Sequence, residues 1–253
     1  MIGKYDKKEI TSLKGVILAG GLGKRLEPLT NVTNKHLLPV WNKPMIYYPL
    51  QTLIDAGIKD IMIVTGGNNA GDFLKLLGNG KEFGLKHLHY AYQKGERGIA
   101  DALSYAEDFC KDSKVIVILG DNIVEKSIRP YIERFLNQPK GARILIKKVK
   151  NPQRFGVVQL KNKKIISIEE KPKKPKSNYV VTGIYMYDSD VFKIIKTLKP
   201  SWRNELEITD VNNAYLRKGL LYYDILEGYW TDCGTFESLL KANNLVANNY
   251  KKK

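Results

Sequence analysis

Four short motifs carry side chains suited to chemistry on phosphates, and they are spread along the chain. A glycine-rich turn (residues 20–25, Gly-Gly-Leu-Gly-Lys-Arg) follows an apolar run, and Asp121 follows another. Lys171 lies between two glutamates and a proline, and Asp232 lies in a Trp-x-Asp-x-Gly-Thr sequence. Glycine turns can cradle phosphates, fixed cations can neutralise developing charge, and paired carboxylates can hold a divalent metal. Together these motifs predict transfer of a nucleotidyl group.

The glycine turn by itself is a weak signal, because many strand-to-loop turns use glycine. It is not a Walker A loop, since Leu18 stands where that loop needs glycine and Arg25 where it needs serine or threonine. It is not a dinucleotide fingerprint either, since Leu26 stands where the last glycine would be. What remains is a glycine loop ending in Lys24 and Arg25, a cationic pair suited to a pyrophosphate leaving group.

The two aspartates are more informative as a pair than singly. Asp121 follows the apolar run 115–119, and ligands of open α/β sheets bind at the carboxyl ends of strands. Either aspartate alone could equally be an ordinary turn residue. Mg²⁺ is held by one or two carboxylates plus substrate phosphate oxygens, so Asp121 and Asp232 together predict a magnesium site.

Other polar side chains have two open interpretations each. Lys35 and Lys171 could be solvated surface residues or fixed ammonium groups for phosphates. Gln93, which follows a predicted strand, could frame a nucleobase together with Gly98. His87 and His89 alternate onto one strand face with no third metal ligand nearby in the sequence, which favours a surface pair over a zinc site.

Short β-branched runs alternate with amphipathic segments from residue 15 onward, which predicts an α/β fold. We expect a Rossmann-like, mostly parallel central sheet flanked by helices, with a smaller antiparallel sugar-binding insertion. The first strands are expected at 16–19, 61–65, 88–92, 115–119 and 144–149. The first helices are expected at 44–56, 70–77, 99–109 and 130–137.

Beyond residue 151 the texture changes to short strands separated by Lys/Pro/Asn turns, expected at 157–160, 164–169 and 180–187. Helices are expected at 189–198 and 206–218, with a strand at 220–225 between them and the last helix, 235–248, which Thr235 would cap. We expect a polar lead-in (1–14), one domain (15–247) and a basic tail (248–253). Within the domain, 15–125 would bind nucleotide and 126–247 the sugar and metal.

The chain has 253 residues and a formal net charge of +16, which raises the question of a nucleic-acid partner. The lysines are dispersed and arginine is scarce, so a solvated surface that attracts anionic substrates is the better interpretation, and no nucleic acid is expected. No run of about 18 apolar residues predicts a membrane span. Two cysteines and no secretory signal favour a cytoplasmic protein.

Taken in order, these residues resemble the sugar-nucleotidyltransferases from about residue 14 to about residue 246. The matching stretches include 15–21, 117–122, 169–172, 176–179 and 181–183. Two narrower ones, KPMIYYPL (43–50) and ELEITD (205–210), are typical of the thymidylyltransferase branch. The resemblance therefore covers nearly the whole chain.

The resemblance implies a role for each matching position. The catalytic residues would be Arg25, Lys35, Asp121, Lys171 and Asp232, with Mg²⁺ on the two aspartates. The nucleotide would contact Leu18, Gly20, Gly21, Gly23, Lys24, Arg25, Gln93, Gly98 and Asp121. The sugar phosphate would contact Phe155, Gly156, Glu170, Lys171, Val181 and Tyr185.

The resemblance also implies a reaction: Mg²⁺-dependent condensation of dTTP (or UTP) with glucose 1-phosphate, giving dTDP-glucose and pyrophosphate. The product would feed deoxysugar synthesis of the dTDP-rhamnose type and cell-surface polysaccharides, and the chain would form a homo-oligomer, a tetramer in relatives. Alternatives are a UTP- or CTP-dependent hexose-1-phosphate enzyme, a sugar-nucleotide-sensing regulator without activity, and a nucleic-acid-binding protein. The presence of Arg25, Lys171 and both aspartates favours the enzyme over a regulator.

Overall fold

The computed structural model describes residues 12–67 and 69–250, which form a sheet-centred α/β fold. The strands are β1 (Lys14–Ala19), β2 (Pro39–Val40), β3 (Lys43–Pro44), β4 (Asp60–Gly66), β5 (His87–Gln93), β6 (Val115–Leu119), β7 (Asn122–Val124), β8 (Ala142–Lys148), β9 (Gly156–Lys161), β10 (Lys164–Glu170), β11 (Tyr179–Tyr187), β12 (Leu221–Ile225) and β13 (Trp230–Asp232). The helices are α1 (Tyr47–Asp55), α2 (Ala70–Leu77), α3 (Ile99–Ser104), α4 (Glu107–Cys110), α5 (Arg129–Asn137), α6 (Asp190–Thr197), α7 (Ile208–Arg217) and α8 (Phe236–Tyr250).

Four parallel strands form the centre of the main sheet, in the order β6-β1-β4-β5. Successive side chains of β1 point to opposite faces of the sheet, and both faces are buried. Val16 and Leu18 pack into one hydrophobic core, and Ile17 and Ala19 pack into another on the opposite face. A strand buried on both faces needs apolar residues throughout. The prediction of a mostly parallel central sheet is confirmed.

The strands expected to form an antiparallel insertion are continuous with this sheet. β11 runs antiparallel to β6 on one side and to β8 on the other. The first residues of β11 pair with β9, and β9 pairs with β10, so these two strands extend the sheet. β12 joins β8 in parallel. The sugar-side segment is therefore an edge of the central sheet.

Two ladders of two strands each complete the architecture, and one of them bears on the site. β13 pairs antiparallel with β7, which places Asp232 opposite Asn122. Behind this ladder α8 contributes Ala242 and Val246 to a third hydrophobic cluster, which also holds Ile123 and Cys233. α8 therefore fixes the ladder against the rest of the fold.

Two helix predictions were wrong in their bounds. The segment 99–109 forms two helices, because the backbone at Ala106 (φ −95°, ψ 4°) leaves the helical region. The helix expected at 44–56 begins only at Tyr47, since Pro44 pairs with Pro39 between β2 and β3. The predicted cap is confirmed: Ser238 N–H donates to Thr235 Oγ1 over 3.3 Å.

Some expectations reach beyond the described ranges. The described part of the lead-in starts at residue 12, and β1 begins two residues later, at Lys14. The described part of the tail ends at residue 250, which is the last residue of α8. Residues 1–11 and 251–253 lie outside the described residues, and the domain boundaries stay predictions. Among the described helices, none has the length and apolar character that crossing a membrane demands. Cys110 and Cys233 are free thiols, both buried.

Candidate active site

A cavity of about 330 Å³ opens at the carboxyl ends of β1, β5 and β6. It brings together fifteen of the predicted site residues, from segments far apart in the chain. These are Leu18, Gly20, Gly21, Arg25, Lys35, Gln93, Gly98, Asp121, Phe155, Gly156, Glu170, Lys171, Val181, Tyr185 and Asp232. Gly23 and Lys24 do not line it.

The glycine loop leaves β1 and turns at Gly23, whose φ of 73° is a left-handed conformation that glycine adopts without strain. A short 3₁₀ turn (Lys24–Leu26) follows, anchored by the buried Leu26, and Arg25 borders the cavity. A carboxylate lies against this loop: Glu96 accepts from Leu22 N–H at 3.1 Å, and its other oxygen lies 3.1 Å from Lys24 Nζ. The loop therefore already binds an anion of the chain's own.

Asp121 is buried and held as an anion. Its Oδ2 lies 2.6 Å from Lys35 Nζ, and its Oδ1 accepts from Asn122 Nδ2 over 2.9 Å. Burial by itself raises the pKa of Asp121, but the charge of Lys35 and the hydrogen bonds from Lys35 and Asn122 outweigh it and bring the pKa well below its usual range. A permanent carboxylate at this position suits a cation-binding site.

Asp232 is linked to Asp121 by a hydrogen bond between neighbouring backbone groups and by electrostatic interaction of the two carboxylates. Cys233 N–H donates to Asp121 C=O over 2.9 Å, next to the ladder of β7 and β13. Burial and the charge of Asp121 raise the pKa of Asp232, against the opposing effects of Arg154 and Arg25. Arg154 Nη2 donates to Asp232 Oδ2 over 3.1 Å. Such opposed pKa shifts are expected when two carboxylates share one site.

The end of the cavity that is predicted to bind the base, called the base end, is organised around the buried amide of Gln93. Its Nε2 donates to Gly98 C=O at 3.1 Å and to Asp101 Oδ2 at 2.8 Å. Both partners can only accept, so the amide nitrogen must face them and Oε1 must face the other way. That oxygen lies against Gly20, where an added Cβ would come within 2.7 Å of it. The amide therefore presents an acceptor beside the glycine loop.

Gly98 has a backbone reason to be glycine. Its φ is 100°, and a Cβ would come within 2.4 Å of Leu206 C=O. No other residue allows the chain to pass this close to the segment before α7. The contact joins the base end of the cavity to the sugar end.

His36 is a buried neutral imidazole in the cavity wall. Its Nδ1 lies 2.7 Å from Asn34 Oδ1, while Asn34 Nδ2 donates to Ala19 C=O, so Nδ1 carries the hydrogen. Burial, and secondarily the charge of Lys35, lowers the pKa of His36 to about 3. The ring stays uncharged at neutral pH.

The sugar end is held by hydrogen bonds between side chains. Glu170 accepts from Thr209 Oγ1 at the start of α7 over 2.5 Å. Lys171 adopts a left-handed φ of 44° just after β10, and its N–H donates to Phe155 C=O. Burial and the charge of Arg203 lower the pKa of Lys171. A strained backbone held by neighbours at the end of a strand is a frequent feature of functional sites.

The comparisons with known proteins agree with this geometry. A family model described as Nucleotidyl transferase matches residues 14–249. The glucose-1-phosphate thymidylyltransferase of Neisseria meningitidis serogroup A is 46% identical over 238 residues, which cover 92% of this chain and 82% of the relative. The enzyme of that name from Mycolicibacterium smegmatis is 45% identical with the same coverage.

The chain belongs to the glucose-1-phosphate thymidylyltransferase family.

Solved structures place this family member in the same fold. A crystal structure of a candidate glucose-1-phosphate thymidylyltransferase from Bacillus anthracis, in complex with a sucrose, is 56% identical and superposes with a TM-score of 0.89. The alignment covers 92% of this chain and 94% of that one. A UDP-glucose pyrophosphorylase at 24% identity has a TM-score of 0.79, a likeness that concerns the fold alone. The predicted fold class is confirmed, and the chain is a nucleotidyltransferase.

Several cavity residues of this thymidylyltransferase family member were missed by sequence reasoning. Asn122 is the most connected: besides holding Asp121, its Oδ1 accepts from Gly183 N–H at 3.1 Å and from Trp230 Nε1 at 2.6 Å. It thus ties three strands together beneath the carboxylates. The only sequence signal for this role is its position next to Asp121.

Two arginines were missed as well. Arg154 reaches Asp232 from the turn before β9, and the position just before the predicted Phe155 was the available signal. Arg203 is held by Glu205 and Glu207, each 2.8 Å from its Nη2. With Arg25, Lys35 and Lys171, they make five cations around the cavity.

Proposed function

We propose that the chain joins dTTP to glucose 1-phosphate in a reaction that requires Mg²⁺, releasing dTDP-glucose and pyrophosphate. The observation that carries this proposal is the meeting of Asp121 and Asp232 in one cavity with the glycine loop. Anionic substrates need positive charge to approach one another. The cavity offers cationic side chains and a pair of carboxylates that could hold a metal ion. The proposal extends to the role of each site residue named below.

The donor set of the two aspartates fits Mg²⁺. This ion prefers oxygen ligands and binds through one or two carboxylates plus substrate phosphates. Asp121 and Asp232 would hold it, displacing the contacts that their Oδ2 atoms make with Lys35 and Arg154. Mg²⁺ held by these carboxylates would supply positive charge that stabilises the negative charge developing on the phosphates.

Different cationic side chains would bind each of the two substrates. Arg25 and the backbone of the glycine loop would hold the β- and γ-phosphates of dTTP, with Lys35 nearby. Lys171 would fix the phosphate of glucose 1-phosphate beside Glu170. An oxygen of that phosphate attacks the α-phosphorus of dTTP, the bond from this phosphorus to the bridging oxygen breaks, and pyrophosphate leaves from the opposite side. Such transfers depend on positioning and on charge stabilisation.

The orientation of Gln93 supports a thymine or uracil base. An outward-facing Oε1 can accept a hydrogen bond from the N3–H of these bases. Cytosine offers an acceptor at N3, which would face the Gln93 oxygen without a hydrogen between them. Leaving a buried acceptor unpaired costs about 1–3 kcal/mol, enough for roughly 5- to 150-fold discrimination against CTP.

Two alternatives can be separated from this proposal. A UTP-dependent relative, or one acting on another hexose 1-phosphate, would share the mechanism and differ in its preferred pair. A sugar-nucleotide-sensing regulator would bind without turnover, and the retention of both aspartates, Arg25 and Lys171 argues against it.

The deciding experiment measures pyrophosphate release by purified protein with Mg²⁺. It crosses dTTP, UTP, CTP, ATP and GTP against several sugar 1-phosphates. We expect the fastest release with dTTP and glucose 1-phosphate, weaker release with UTP, and loss of activity with a chelator. Release that is fastest with another pair would keep the reaction type and assign the enzyme a different nucleotide or sugar specificity. Nucleotide binding with no release from any pair would indicate the regulator.

We further propose a homo-oligomer, which the resemblance implies, and a cytoplasmic location, which the sparse cysteines favour. The family relationship supports both, since sugar nucleotides are made from cytoplasmic triphosphates. Light scattering coupled to size exclusion tests the first: we expect a mass of several chains, with a tetramer as the specific expectation. A mass equal to one chain would contradict it.

A further inference from the structure

The three-residue cluster of Asp60, His87 and His89 lies at the opposite end of the sheet from the active site. Asp60 begins β4 and His87 begins β5, whereas the cavity opens where β5 ends. Asp60 pairs with His87 in the parallel register, and His89 follows two positions later on the same face of β5. A possible third ligand therefore comes from the neighbouring strand, a position that the spacing of the two histidines in the sequence did not reveal.

The atoms of this cluster are spaced like the ligands of one metal ion. Asp60 Oδ1 lies 3.4 Å from His87 Nδ1 and 3.7 Å from His89 Nε2. Zinc bonds of about 2.0–2.1 Å at tetrahedral angles put neighbouring ligand atoms about 3.3–3.4 Å apart. Asp60 Oδ1 is within a few tenths of an ångström of that distance from both ring nitrogens, and the ligand atoms of all three residues lie within 4.8 Å of one another. Rotation of the two half-exposed rings would complete the geometry.

The aspartate oxygen in this cluster is a second, independent sign of a missing ligand. Asp60 is 9% exposed, and its Oδ1 is buried with no hydrogen-bond partner among the described residues. Its Oδ2 is already paired with Lys14, whose ammonium also lies over the Phe109 ring. A buried acceptor without a partner is costly, and Oδ1 faces two imidazole nitrogens. A cation between these three groups would satisfy it.

We propose that Asp60, His87 and His89 bind one transition-metal ion of the Zn²⁺ or Co²⁺ class. Two imidazoles and one carboxylate suit such ions, whereas Mg²⁺ prefers a set made of oxygens alone. Three protein ligands leave the fourth position to water. The ion would join β4 to β5 across the amino-terminal edge of the sheet.

The chain offers few competing ligands, which makes the test clean. It contains three histidines, and the third, His36, is buried in the wall of the active site. Burial raises the pKa of the Cys110 thiol to about 12 and that of Cys233 further still, so neither is a thiolate at neutral pH. Excess Mg²⁺ would keep the active-site carboxylates occupied.

The experiment titrates Zn²⁺ into the full chain without an affinity tag, in millimolar Mg²⁺, and follows binding by calorimetry. Co²⁺ serves as a spectroscopic probe, since four-coordinate Co²⁺ has strong visible absorption. We expect one ion per chain, at least about tenfold weaker binding in His87→Gln and in His89→Gln, and none in the double variant. Glu82→Gln, an exposed change before β5, is the matched control and should bind as the parent does.

Two further readouts keep the result independent of folding and of the proposed function. Pyrophosphate release should be unchanged in His87→Gln, which shows that the variant is folded and that its site is remote. In the unaltered chain, Zn²⁺ should shift the imidazole NMR signals of His87 and His89 and leave those of His36 in place. Absence of saturable binding, binding that survives in the double variant, or a shift at His36 alone would overturn the proposal.

Discussion

The nucleotide end and the sugar end of the cavity are built in different ways. At the nucleotide end, Gly20, Gln93 and Asp121 come directly after or at the ends of parallel strands of the central sheet. At the sugar end, Lys171 and Asp232 follow or end strands at the edge of the fold. The backbone of the first group continues strands that pack in the hydrophobic core, and polar contacts such as Gln93 with Asp101 then orient the side chains. The second group depends on polar contacts for its backbone as well, such as Thr209 with Glu170 and Trp230 with Asn122. One polar substitution should therefore disturb the sugar end more than the nucleotide end.

The largest effect is expected at Asp232, whose partner in the proposed metal site, Asp121, belongs to the nucleotide end. Asp232→Asn should lower turnover by roughly 10²-fold or more, because it removes a charged metal ligand. Steady-state pyrophosphate release measures this, and circular dichroism checks the fold. Asp72→Asn, an exposed change on α2, is the control and should behave as the parent. Full activity in Asp232→Asn would refute its metal role.

A change at the sugar end alone should separate the substrates. Lys171→Ala should raise the KM for glucose 1-phosphate about 10- to 100-fold, the loss of one hydrogen bond to a charged group. The KM for dTTP should stay as it was. Lys173→Ala, two residues away and exposed, is the matched control. An unchanged KM for the sugar phosphate would contradict the assignment of Lys171 to the phosphate of glucose 1-phosphate.

A change behind the nucleotide end should affect base selection. Asp101→Ala frees the Gln93 amide to rotate, so the KM for dTTP should rise by about tenfold and the preference over CTP should narrow. Asp101→Asn retains an acceptor and should restore much of the preference. Competition between dTTP and CTP measures the effect. A preference that does not change in Asp101→Ala would show that packing alone orients Gln93.

The buried His36 should make the stability of the nucleotide end depend on pH. Its pKa is about 3 in the folded chain and near 6.5 when exposed, so between these values the unfolded chain binds more protons. Its contribution is therefore complete above pH 6.5 and falls with acidification, by about 1.4 kcal/mol per pH unit. Urea unfolding at pH 6.5 and pH 5 should show about 2 kcal/mol more loss in the parent than in His36→Gln. Equal losses would contradict the assignment.

The smallest effect is expected at the glycine loop. Glu96 must leave Leu22 N–H and Lys24 when a triphosphate enters. Glu96→Gln should lower the dissociation constant for dTTP by up to about fivefold, since an exposed ion pair is worth about 0–1 kcal/mol. Isothermal titration with dTTP measures this directly. Weaker binding in the variant would mean that Glu96 supports the loop.

The sequence was sufficient where local pattern and packing agree. The central strands, the glycine loop and Asp121 were all predicted, because an apolar run followed by glycine or aspartate indicates the carboxyl end of a buried strand. Asn122, Arg154 and Asp60 were missed in their roles, because each acts through contacts with distant segments. Such contacts leave no periodicity in the sequence. The break between α3 and α4 was missed because an apolar pattern continues across it.

The short ladder of β7 and β13 has a consequence for the order in which activity arises. Trp230 and Asn122, which it brings together, are 108 positions apart in the chain. Closing so long a loop is entropically costly and comes late in folding and in synthesis. A ribosome-bound chain that ended before β13 would have its glycine loop and Gln93 but not its second carboxylate. The second carboxylate of the proposed metal site is therefore the last of the predicted site residues to be added during synthesis.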